Sequence, residues 1–464
     1  MDNSGIYVGL DIGTTSIKAI VCEKVKGQLK VVGVGTQPSA GLNKGIIVDI
    51  DKTAQAISKA VAQAEEKSNV KIKDVIVGLP ANYLKVENCT GMITVAEQGQ
   101  SREIVDQDVV GVAKAALIQS MPPEREVIDL ITNEFVVDGF DKIKDPRGMV
   151  GVRLELHGIL FTGPKTVVHN TTKAIQKAGL NVLDMVVAPL SLGRQVLNDG
   201  EQDFGAVVID IGGGQTTASV MHDHQLKFTY VDPEGGQYIT KDISVVLNTS
   251  LQNAERLKRD YGYADASQAS ATTTFSVDVV GQQDPVEINE EYLSEVIEAR
   301  VSQIFDRINK QLKKASALEL PGGIILTGGA TALPGIAELA QNYFEASAKV
   351  YVPDQMGIRH PAFTLGLSLA EYEVALVDVD LLVKQAVGYT SRHLQLSTPN
   401  ASAAPAREPK KRKQASRVNR QNTRPSSHNV PQESKQNQSE TKDTKQPKKN
   451  HLEGVKKFFN NFFD

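Results

Sequence analysis

Two short stretches of the chain are nearly copies of each other, and they constrain the fold more than any other feature. Residues 8–18 read VGLDIGTTSIK and residues 207–217 read VVIDIGGGQTT. Each begins as an apolar strand, reaches an aspartate, turns on glycine and small hydroxyl residues, and continues as a second β-prone segment. The copies share one register at Asp11 and Asp210, Ile12 and Ile211, Gly13 and Gly212. This match predicts a duplicated fold with one glycine turn in each half.

The residue types of both turns are suited to binding phosphate. Glycine lets backbone N–H groups approach phosphate oxygens without a Cβ in the way, and hydroxyl and ammonium groups add further donors. Asp11 and Asp210 would repel phosphate, so we expect an Mg²⁺ ion, bound through water, between these carboxylates and the phosphates. The other residues expected to bind phosphate are Gly13, Thr14, Thr15 and Lys18 in the first turn and Gly212, Gly213, Gly214 and Thr216 in the second.

An ordinary turn at the end of a strand would explain one such stretch on its own. Two copies in register, followed by a third glycine loop, favour a nucleotide site. The third loop reads IILTGGA at residues 324–330, where Gly328 and Gly329 leave room for a purine at the end of a strand. Gly236, within EGGQYITKD at residues 234–242, allows a ligand to approach the start of a helix.

Between and after the two turns, strand and helix patterns alternate, which is typical of a layered α/β fold. Residues 53–67 carry apolar side chains at helical spacing, and residues 75–80 read as a short buried strand. Residues 83–163 change to a β-α-β-β order that predicts a compact inserted subdomain, either decorative or a surface for self-association or a partner. We expect residues 361–375 to form the last folded helix, with residues 377–383 adding a short segment.

The composition indicates a globular body with a distinct tail. Cys22 and Cys89 are the only cysteines among 464 residues, which argues against a disulfide framework or a thiolate zinc site and fits a reducing cytoplasm. We find neither a signal peptide nor an apolar run long enough to span a bilayer. Residues 400–450 contain 13 Lys and Arg against 4 Asp and Glu, although the whole chain has a net charge of −4. An acidic body therefore carries a basic tail, which favours an anionic surface as its target.

The tail itself has two parts. Residues 397–450 are rich in Pro, Ser, Asn, Gln, Lys and Arg and bury too little apolar surface to fold. They contain no Phe, Tyr or Trp to stack on bases, so we expect no nucleic-acid partner. Residues 451–464 place apolar side chains on one helical face, which predicts a membrane-surface helix, with docking in a protein groove as the alternative. The residues expected to meet the membrane are Leu452, Val455, Lys456, Lys457, Phe458, Phe459, Phe462 and Phe463.

With two aspartate-glycine turns, a later Gly-Gly loop, an inserted subdomain and an amphipathic tail, the chain resembles the FtsA family of actin-like bacterial cell-division proteins. The likeness covers about residues 1–390 and the final helix. It implies an α/β, actin-like (ribonuclease H-like duplicated) two-lobed fold that binds ATP with Mg²⁺ between the lobes. It also implies that Gly328 and Gly329 sit at the adenosine, with Glu255 and Lys258 near the ribose and base. From the residues alone, a surface ion pair at i, i+3 explains Glu255 and Lys258 as well.

The resemblance further implies a scaffold that polymerises and tethers the FtsZ division ring to the membrane. The implied partners are other copies of this chain, the FtsZ carboxyl-terminal peptide, anionic membrane lipids and later division proteins. The peptide would dock on a small subdomain at residues 242–300, where Arg300 is a candidate contact, and the later proteins on residues 83–163. The implied location is peripheral, on the cytoplasmic face of the cell membrane at the division site.

The positions of the glycine turns, the insertion and the tail, together with this resemblance, predict the domain boundaries. The first lobe comprises residues 1–82, 164–200 with the connecting helix, and a closing helix within 353–396. The second lobe comprises a core at 201–241 and 301–352, with the small subdomain between them. The remaining units are the SHS2-like inserted subdomain at 83–163, the disordered basic linker at 397–450 and the amphipathic helix at 451–464.

One departure from the superfamily bears on catalysis. Actin-like hydrolases usually carry a Gln or Glu that positions the attacking water just before the helix that joins the lobes. Here that place holds Ala188, which has no polar side chain, so we assign no catalytic residue and expect at most slow ATP hydrolysis. The alternatives within the superfamily are a PilM-type pilus-assembly protein, a small-molecule kinase and a chaperone ATPase. A kinase would need a catalytic carboxylate facing a substrate, and the sequence points to none.

Overall fold

The structure is a computed structural model that describes residues 5–96, 99–118 and 122–388. The predicted linker and the predicted membrane helix lie outside the described residues. No helix in the described part of the chain combines the length and the apolar character needed to cross a membrane.

The first lobe is built on a five-stranded sheet. Its helix α1 (Ile50–Ser68) is capped at its amino end by Asp49, whose carboxylate accepts a hydrogen bond from the backbone of Lys52 at 3.1 Å. The apolar spacing predicted for this helix matches its buried face, which packs on the sheet. The elements of this lobe before the insertion are β1 (Gly5–Ile12), β2 (Ser16–Val25), β3 (Gln28–Pro38), β4 (Leu42–Asn43), β5 (Ile46–Ile47), α1 (Ile50–Ser68) and β6 (Asp74–Leu79).

The inserted subdomain has its own four-stranded sheet and its own apolar core. Its elements are β7 (Lys85–Thr94), β8 (Arg102–Glu103), α2 (Asp106–Leu117), β9 (Arg125–Val137), β10 (Phe140–Ile143), β11 (Val150–Gly151) and β12 (Arg153–Pro164). The strand order in its sheet is β10-β9-β12-β7. The predicted β-α-β-β succession corresponds to β7, α2, β9 and β12, with three short strands added.

The chain then returns to the first lobe and crosses to the second. The elements of this stretch are α3 (Lys165–Lys177), β13 (Asn181–Val187), α4 (Ala188–Val196) and α5 (Asp199–Phe204). The second lobe consists of β14 (Ala206–Ile211), β15 (Thr216–His222), β16 (Gln225–Asp232), α6 (Gly236–Val246), α7 (Leu251–Tyr261), β17 (Thr274–Val277), β18 (Val286–Asn289), α8 (Glu290–Lys314), β19 (Ile324–Thr327), α9 (Ile336–Phe344) and β20 (Ala348–Val350).

The two large sheets repeat one topology, as the duplicated glycine turns predict. The second lobe has the order β20-β19-β14-β15-β16, which matches β13-β6-β1-β2-β3 strand for strand. In each sheet the strand that ends in the aspartate pairs antiparallel with the strand after the glycine turn and parallel with a later strand. Both turns therefore lie at the carboxyl end of a central strand, where ligand sites of α/β sheets form.

Two helices close the described chain, α10 (Thr364–Ala375) and α11 (Asp378–Val387). The expectation that the helix ending at Ala375 would be the last one was wrong. Helix α11 follows it, and its Val379, Leu382 and Val383 are buried in the core of the inserted subdomain. The sequence pattern predicted only a short segment at 377–383, because the apolar partners of these residues lie on α2 and β9, far away in the chain.

Candidate nucleotide-binding site

Both glycine turns line one large cleft of about 1560 Å³, which also takes in the third glycine loop and the amino ends of α6 and α4. Fourteen of the fifteen residues predicted to bind a nucleotide lie on its walls. They are Asp11, Gly13, Thr14, Thr15, Lys18, Asp210, Gly212, Gly213, Gly214, Gly236, Glu255, Lys258, Gly328 and Gly329.

The fifteenth residue, Thr216, is turned away from the cleft. Its side chain is fully buried, and its hydroxyl donates to the carbonyl of Glu234 at 2.8 Å. Since side chains alternate along a strand, it is the next residue of β15, Thr217, that faces the cleft. The geometry therefore does not support the prediction that the Thr216 hydroxyl contacts phosphate.

The two glycine turns approach each other across the cleft. A Cβ added to Gly214 would lie 2.6 Å from Cγ2 of Thr14, and a Cβ added to Gly213 would collide with the side chain of Thr15. The Thr14 hydroxyl also accepts a hydrogen bond from the backbone of Gly45 at 3.0 Å. Glycine is required on the second-lobe side because any larger residue would separate the turns.

Two carboxylates, one from each lobe, face this cleft. Asp11 is buried and forms an ion pair with Lys18, whose Nζ lies 2.9 Å from Oδ2. Burial and the negative charge of Asp11 raise the pKa of Asp210 to about 6, while Lys18 acts in the opposite direction. A cation between the carboxylates would relieve this repulsion. The donor set, two carboxylates with room for water, therefore fits Mg²⁺.

Gly328 is packed directly against the second turn. Its φ is +94°, and a Cβ there would collide with the carboxylate of Asp210 and lie 2.6 Å from the carbonyl oxygen of Ile211. Any other residue would be strained in this backbone conformation and would push on the carboxylate. The third glycine loop is thus joined to the second turn at the base of the cleft.

Glu255 and Lys258 form part of the cleft wall rather than a solvent-exposed pair. Lys258 Nζ lies 2.6 Å from Glu255 Oε2, and it donates to the Gly236 carbonyl at 3.0 Å and to the Thr240 hydroxyl at 2.8 Å. Burial lowers the pKa of Lys258, against the attraction of Glu255. For Glu255, burial acts to raise the pKa, but Lys258 and its other donors outweigh it and hold the pKa below its ordinary value. The pair therefore places the ammonium group of Lys258 and the carboxylate of Glu255, each held in position, next to Gly236.

Several cleft residues were not predicted from the sequence. Gln215 follows the second glycine turn directly, and its buried Oε1 accepts no hydrogen bond from the described residues. Arg259 donates to Glu255 at 2.7 Å, and only its position next to Lys258 hinted at a role. His360 reaches the cleft from a distant loop, and no local signal marked it. Burial, Arg259 and Lys18 all lower its pKa.

The start of α4 is apolar where it borders the cleft. Ala188 is the first residue of this helix, rather than the residue before it, and it lines the cleft together with Pro189. Neither residue has a polar side-chain group that could orient water. Among the described residues, no group of three or more His, Cys, Asp or Glu is placed to hold a metal ion by itself. A metal here would need ligands from water or phosphate.

Arg300 lies outside this cleft, on α8. Its guanidinium forms ion pairs with Asp242 at 2.5 Å and with Glu234 at 2.8 Å. Its role as a contact for the FtsZ peptide stays a prediction.

Two family models match the chain. The model described as "Cell division protein FtsA" matches residues 207–368, and the model described as "SHS2 domain inserted in FTSA" matches residues 81–162. The second match coincides closely with the inserted subdomain of the structure.

Curated relatives named "Cell division protein FtsA" match most of the chain. The protein of Enterococcus hirae is 57% identical over 387 residues, covering 83% of this chain and 87% of the relative. The protein of Bacillus subtilis (strain 168) is 40% identical over 372 residues, covering 80% and 84%. That of Escherichia coli (strain K12) is 30% identical over 357 residues, covering 75% and 84%.

Solved structures of other proteins share the fold at low identity. A PilM-PilN type IV pilus biogenesis complex superposes with a TM-score of 0.54 and 16% identity, covering 80% of this chain and 99% of that one. MreB5 of Spiroplasma citri bound to ADP has a TM-score of 0.50 and 12% identity, covering 79% and 95%. These likenesses confirm the actin-like fold, whereas the sequence identities select one family within it. The chain belongs to the FtsA family of bacterial cell-division proteins.

Proposed function

We propose that this protein is an ATP-binding, actin-like scaffold that polymerises and tethers FtsZ filaments to the cytoplasmic face of the cell membrane at the division site. The observation that supports the nucleotide site best is the meeting of two glycine turns, each following an aspartate, in one cleft. In this arrangement the backbones of both lobes border the space that one ligand would fill, so ATP holds the lobes in one relative position.

The residues of the cleft divide into groups with different tasks. The glycines of both turns, Thr14, Thr15 and Lys18 bind the phosphates, while Gly328 and Gly329 leave space for the adenosine. Glu255 and Lys258 bind the ribose and base. Asp11 and Asp210 hold Mg²⁺ through water. The ion, when bound, neutralises the phosphate charge that these two carboxylates would otherwise repel.

The cleft is better suited to binding ATP than to hydrolysing it. Positioning of water and stabilisation of charge supply most of phosphoryl-transfer catalysis. Ala188 has no polar side chain that could position the attacking water. ATP therefore serves mainly to set the relative position of the lobes and the affinity between copies of the chain.

The partners of the scaffold bind outside the cleft. The FtsZ carboxyl-terminal peptide docks on the small subdomain at residues 242–300, on the side that carries Arg300. Later division proteins dock on the inserted subdomain. Head-to-tail contacts between copies form the polymer.

The membrane contact is made by residues 451–464, which lie outside the described residues. Six apolar side chains half-buried at the bilayer surface contribute on the order of 5–9 kcal/mol, and ordering the helix costs a few kcal/mol of this. One copy therefore binds weakly and reversibly. Several copies in a polymer bind strongly, because each bound helix raises the effective concentration of the next. The linker, with a reach on the order of 40 Å, allows the folded body to stand away from the bilayer.

Flotation with anionic liposomes tests this function. The full chain should float with liposomes, should float more in the presence of MgATP if polymers form, and should bring a fluorescent FtsZ tail peptide with it. A chain truncated after residue 451 should remain at the bottom. As a matched control, Asn460→Ala with Asn461→Ala changes the polar face of the same helix and should float like the parent. Equal flotation of the truncated chain would refute the anchor.

A further inference from the structure

A turn at residues 232–237 supports the second glycine turn from behind. The backbone N–H of Gly236 donates to the carbonyl of Gly212 at 2.9 Å, and that of Gln237 donates to the carbonyl of Gly213 at 2.8 Å. A Cβ at Gly235 would collide with the same Gly212 carbonyl. The conformation of the second glycine turn therefore depends on where this supporting turn is held.

The supporting turn is held by two arginines of α8. The carboxylate of Glu234 points away from the cleft and accepts hydrogen bonds from Arg300 at 2.8 Å and from Arg307 at 2.6 Å. Arg307 also binds the fully buried carboxylate of Asp232 through two hydrogen bonds, at 2.5 and 2.9 Å. Burial acts to raise the pKa of Glu234, but the hydrogen bonds from Arg307 and Arg300 outweigh it, so this pKa lies below its ordinary value.

Arg300 holds a second part of the cleft wall as well. Its Nε and Nη2 donate to the two carboxylate oxygens of Asp242 at 2.5 and 2.9 Å. Its guanidinium also lies 5.9 Å from the centre of the Tyr238 ring. Asp242 and Tyr238 belong to α6, the helix whose first residue, Gly236, lines the cleft. Arg300 thus fixes α6 relative to Glu234, the residue of the supporting turn that precedes the helix.

These contacts leave Arg300 little capacity for an outside partner. All three guanidinium nitrogens already donate within the chain, to Asp242, Glu234 and Gln303. The two arginines are matched by three carboxylates, Asp232, Glu234 and Asp242, so the cluster carries a net charge of −1. Four of its five N–H donors are used in this way, so an acidic peptide could form a two-point pair with this guanidinium only by displacing an internal carboxylate or an amide. Arg300 therefore has an internal role whether or not a partner also contacts it.

We propose that Arg300 and Arg307 are positioning residues for nucleotide binding, which act through Glu234 and Asp242 on the second glycine turn. The proposal rests on the nucleotide site proposed above. Neither arginine lines the cleft, so each acts only through the supporting turn and α6. One consequence is that loss of partner binding in an Arg300 variant does not by itself identify a peptide contact, because the same substitution also changes the nucleotide site.

The test measures MgATP affinity of the full chain by calorimetry for Arg300→Gln, Arg307→Gln and Glu234→Gln. We expect each to weaken MgATP binding by about tenfold or more, which corresponds to about 1.4 kcal/mol. Arg300→Lys, which keeps the charge but cannot bridge two carboxylates, should fall between Arg300→Gln and the parent. Arg256→Gln is the matched control, because Arg256 lies on α7 with Asp260 and Asn253 as partners and has no bond to the supporting turn. It should bind MgATP within about twofold of the parent.

A double-mutant cycle separates positioning from general destabilisation. Because Arg300 and Glu234 act together, the Arg300→Gln, Glu234→Gln double variant should lose less affinity than the sum of the two single losses. Urea unfolding of the nucleotide-free variants shows whether each variant is folded. If Arg300→Gln is not folded, the affinity of Glu234→Gln is used in its place. If the parent binds MgATP and all three variants bind it equally well, the positioning role is refuted. If the parent itself fails to bind MgATP, the proposed function is refuted and this role with it.

Discussion

The ammonium group of Lys384 lies 2.7 Å from the carboxylate of Asp129, in an ion pair that is buried on both sides. A second carboxylate, that of Asp184, lies 2.8 Å from the same ammonium. The three residues belong to α11, to β9 of the inserted subdomain and to β13 of the first lobe. One cation thus joins the last described helix, the insertion and the lobe that carries the first glycine turn.

Removing this cation should destabilise the fold strongly. In Lys384→Met the two carboxylates would remain buried without a counter-charge, which costs about 3–5 kcal/mol. Urea unfolding followed by circular dichroism measures the loss. Lys310→Met is the control, because Lys310 pairs with Asp306 on the exposed face of α8, and its unfolding midpoint should not move. A midpoint for Lys384→Met equal to that of the parent would contradict the importance of the buried pair.

The same cluster predicts how stability changes with pH. Burial and the charge of Asp184 raise the pKa of Glu373 from its ordinary 4.5 to about 8, although Lys384 acts in the opposite direction. Between these values the unfolded chain releases this proton and the folded chain keeps it, so stability falls as pH rises from about 4.5 to about 8. Glu373→Gln should flatten this decline in urea unfolding measured at pH 5, 6.5 and 8. A decline of the same size in both proteins would exclude Glu373 as its source.

The closeness of the two glycine turns makes Gly213 sensitive to substitution. In Gly213→Ala the new methyl group would collide with Thr15 and push the lobes apart at the phosphates. We expect MgATP affinity to fall by about tenfold or more, an effect of about 1.4 kcal/mol or greater. Gly111→Ala on α2, where the added methyl group meets only Ile93 of the described residues, at 3.5 Å, should leave affinity unchanged. Normal affinity in Gly213→Ala would show that the lobes stand further apart when ATP is bound.

The absence of a polar side chain at Ala188 predicts slow turnover. We expect the ATPase rate to be at least about 100-fold below the typical enzyme value of about 10 s⁻¹. Ala188→Gln, which places a carboxamide at the start of α4, should raise the rate without tightening binding. A phosphate-release assay measures the ATPase rates of the parent and of Ala188→Gln, with Asp210→Asn as the blank. A parent rate near that of a dedicated ATPase, lost in the Asp210→Asn blank, would refute the prediction.

The parts of the site that could be predicted from the sequence are those written into one short segment. Asp11 lies two residues before Gly13, and Asp210 two residues before Gly212. The strand, the turn and their duplication can therefore be recognised in the amino-acid sequence. By contrast, nothing local to Lys384 indicates that its counter-charges are Asp129 and Asp184, which are 255 and 200 positions away in the numbering.

Side-chain direction limited the prediction in the same way. Thr216 and Thr217 are identical in type, and only the pairing of β15 with β14 and β16 decides which of them faces the cleft. Glu234 lies next to two glycines, but the arginines that hold it come from α8, more than sixty residues later. Contacts of this kind follow from tertiary packing and carry no signature in a single segment.

Calorimetric titration with MgATP, at pH 5 and pH 7.5, decides whether the cleft is a metal-dependent nucleotide site. In the parent chain, Asp210 must release its proton to face a metal ion, and its pKa of about 6 without ligand places this step between the two pH values. We expect one site per chain, tighter binding at pH 7.5 than at pH 5, and loss of most of this difference in Asp210→Asn, where only the titration of ATP itself remains. Binding that is absent, or that is equally tight in Asp210→Asn at pH 7.5, would contradict the site described here.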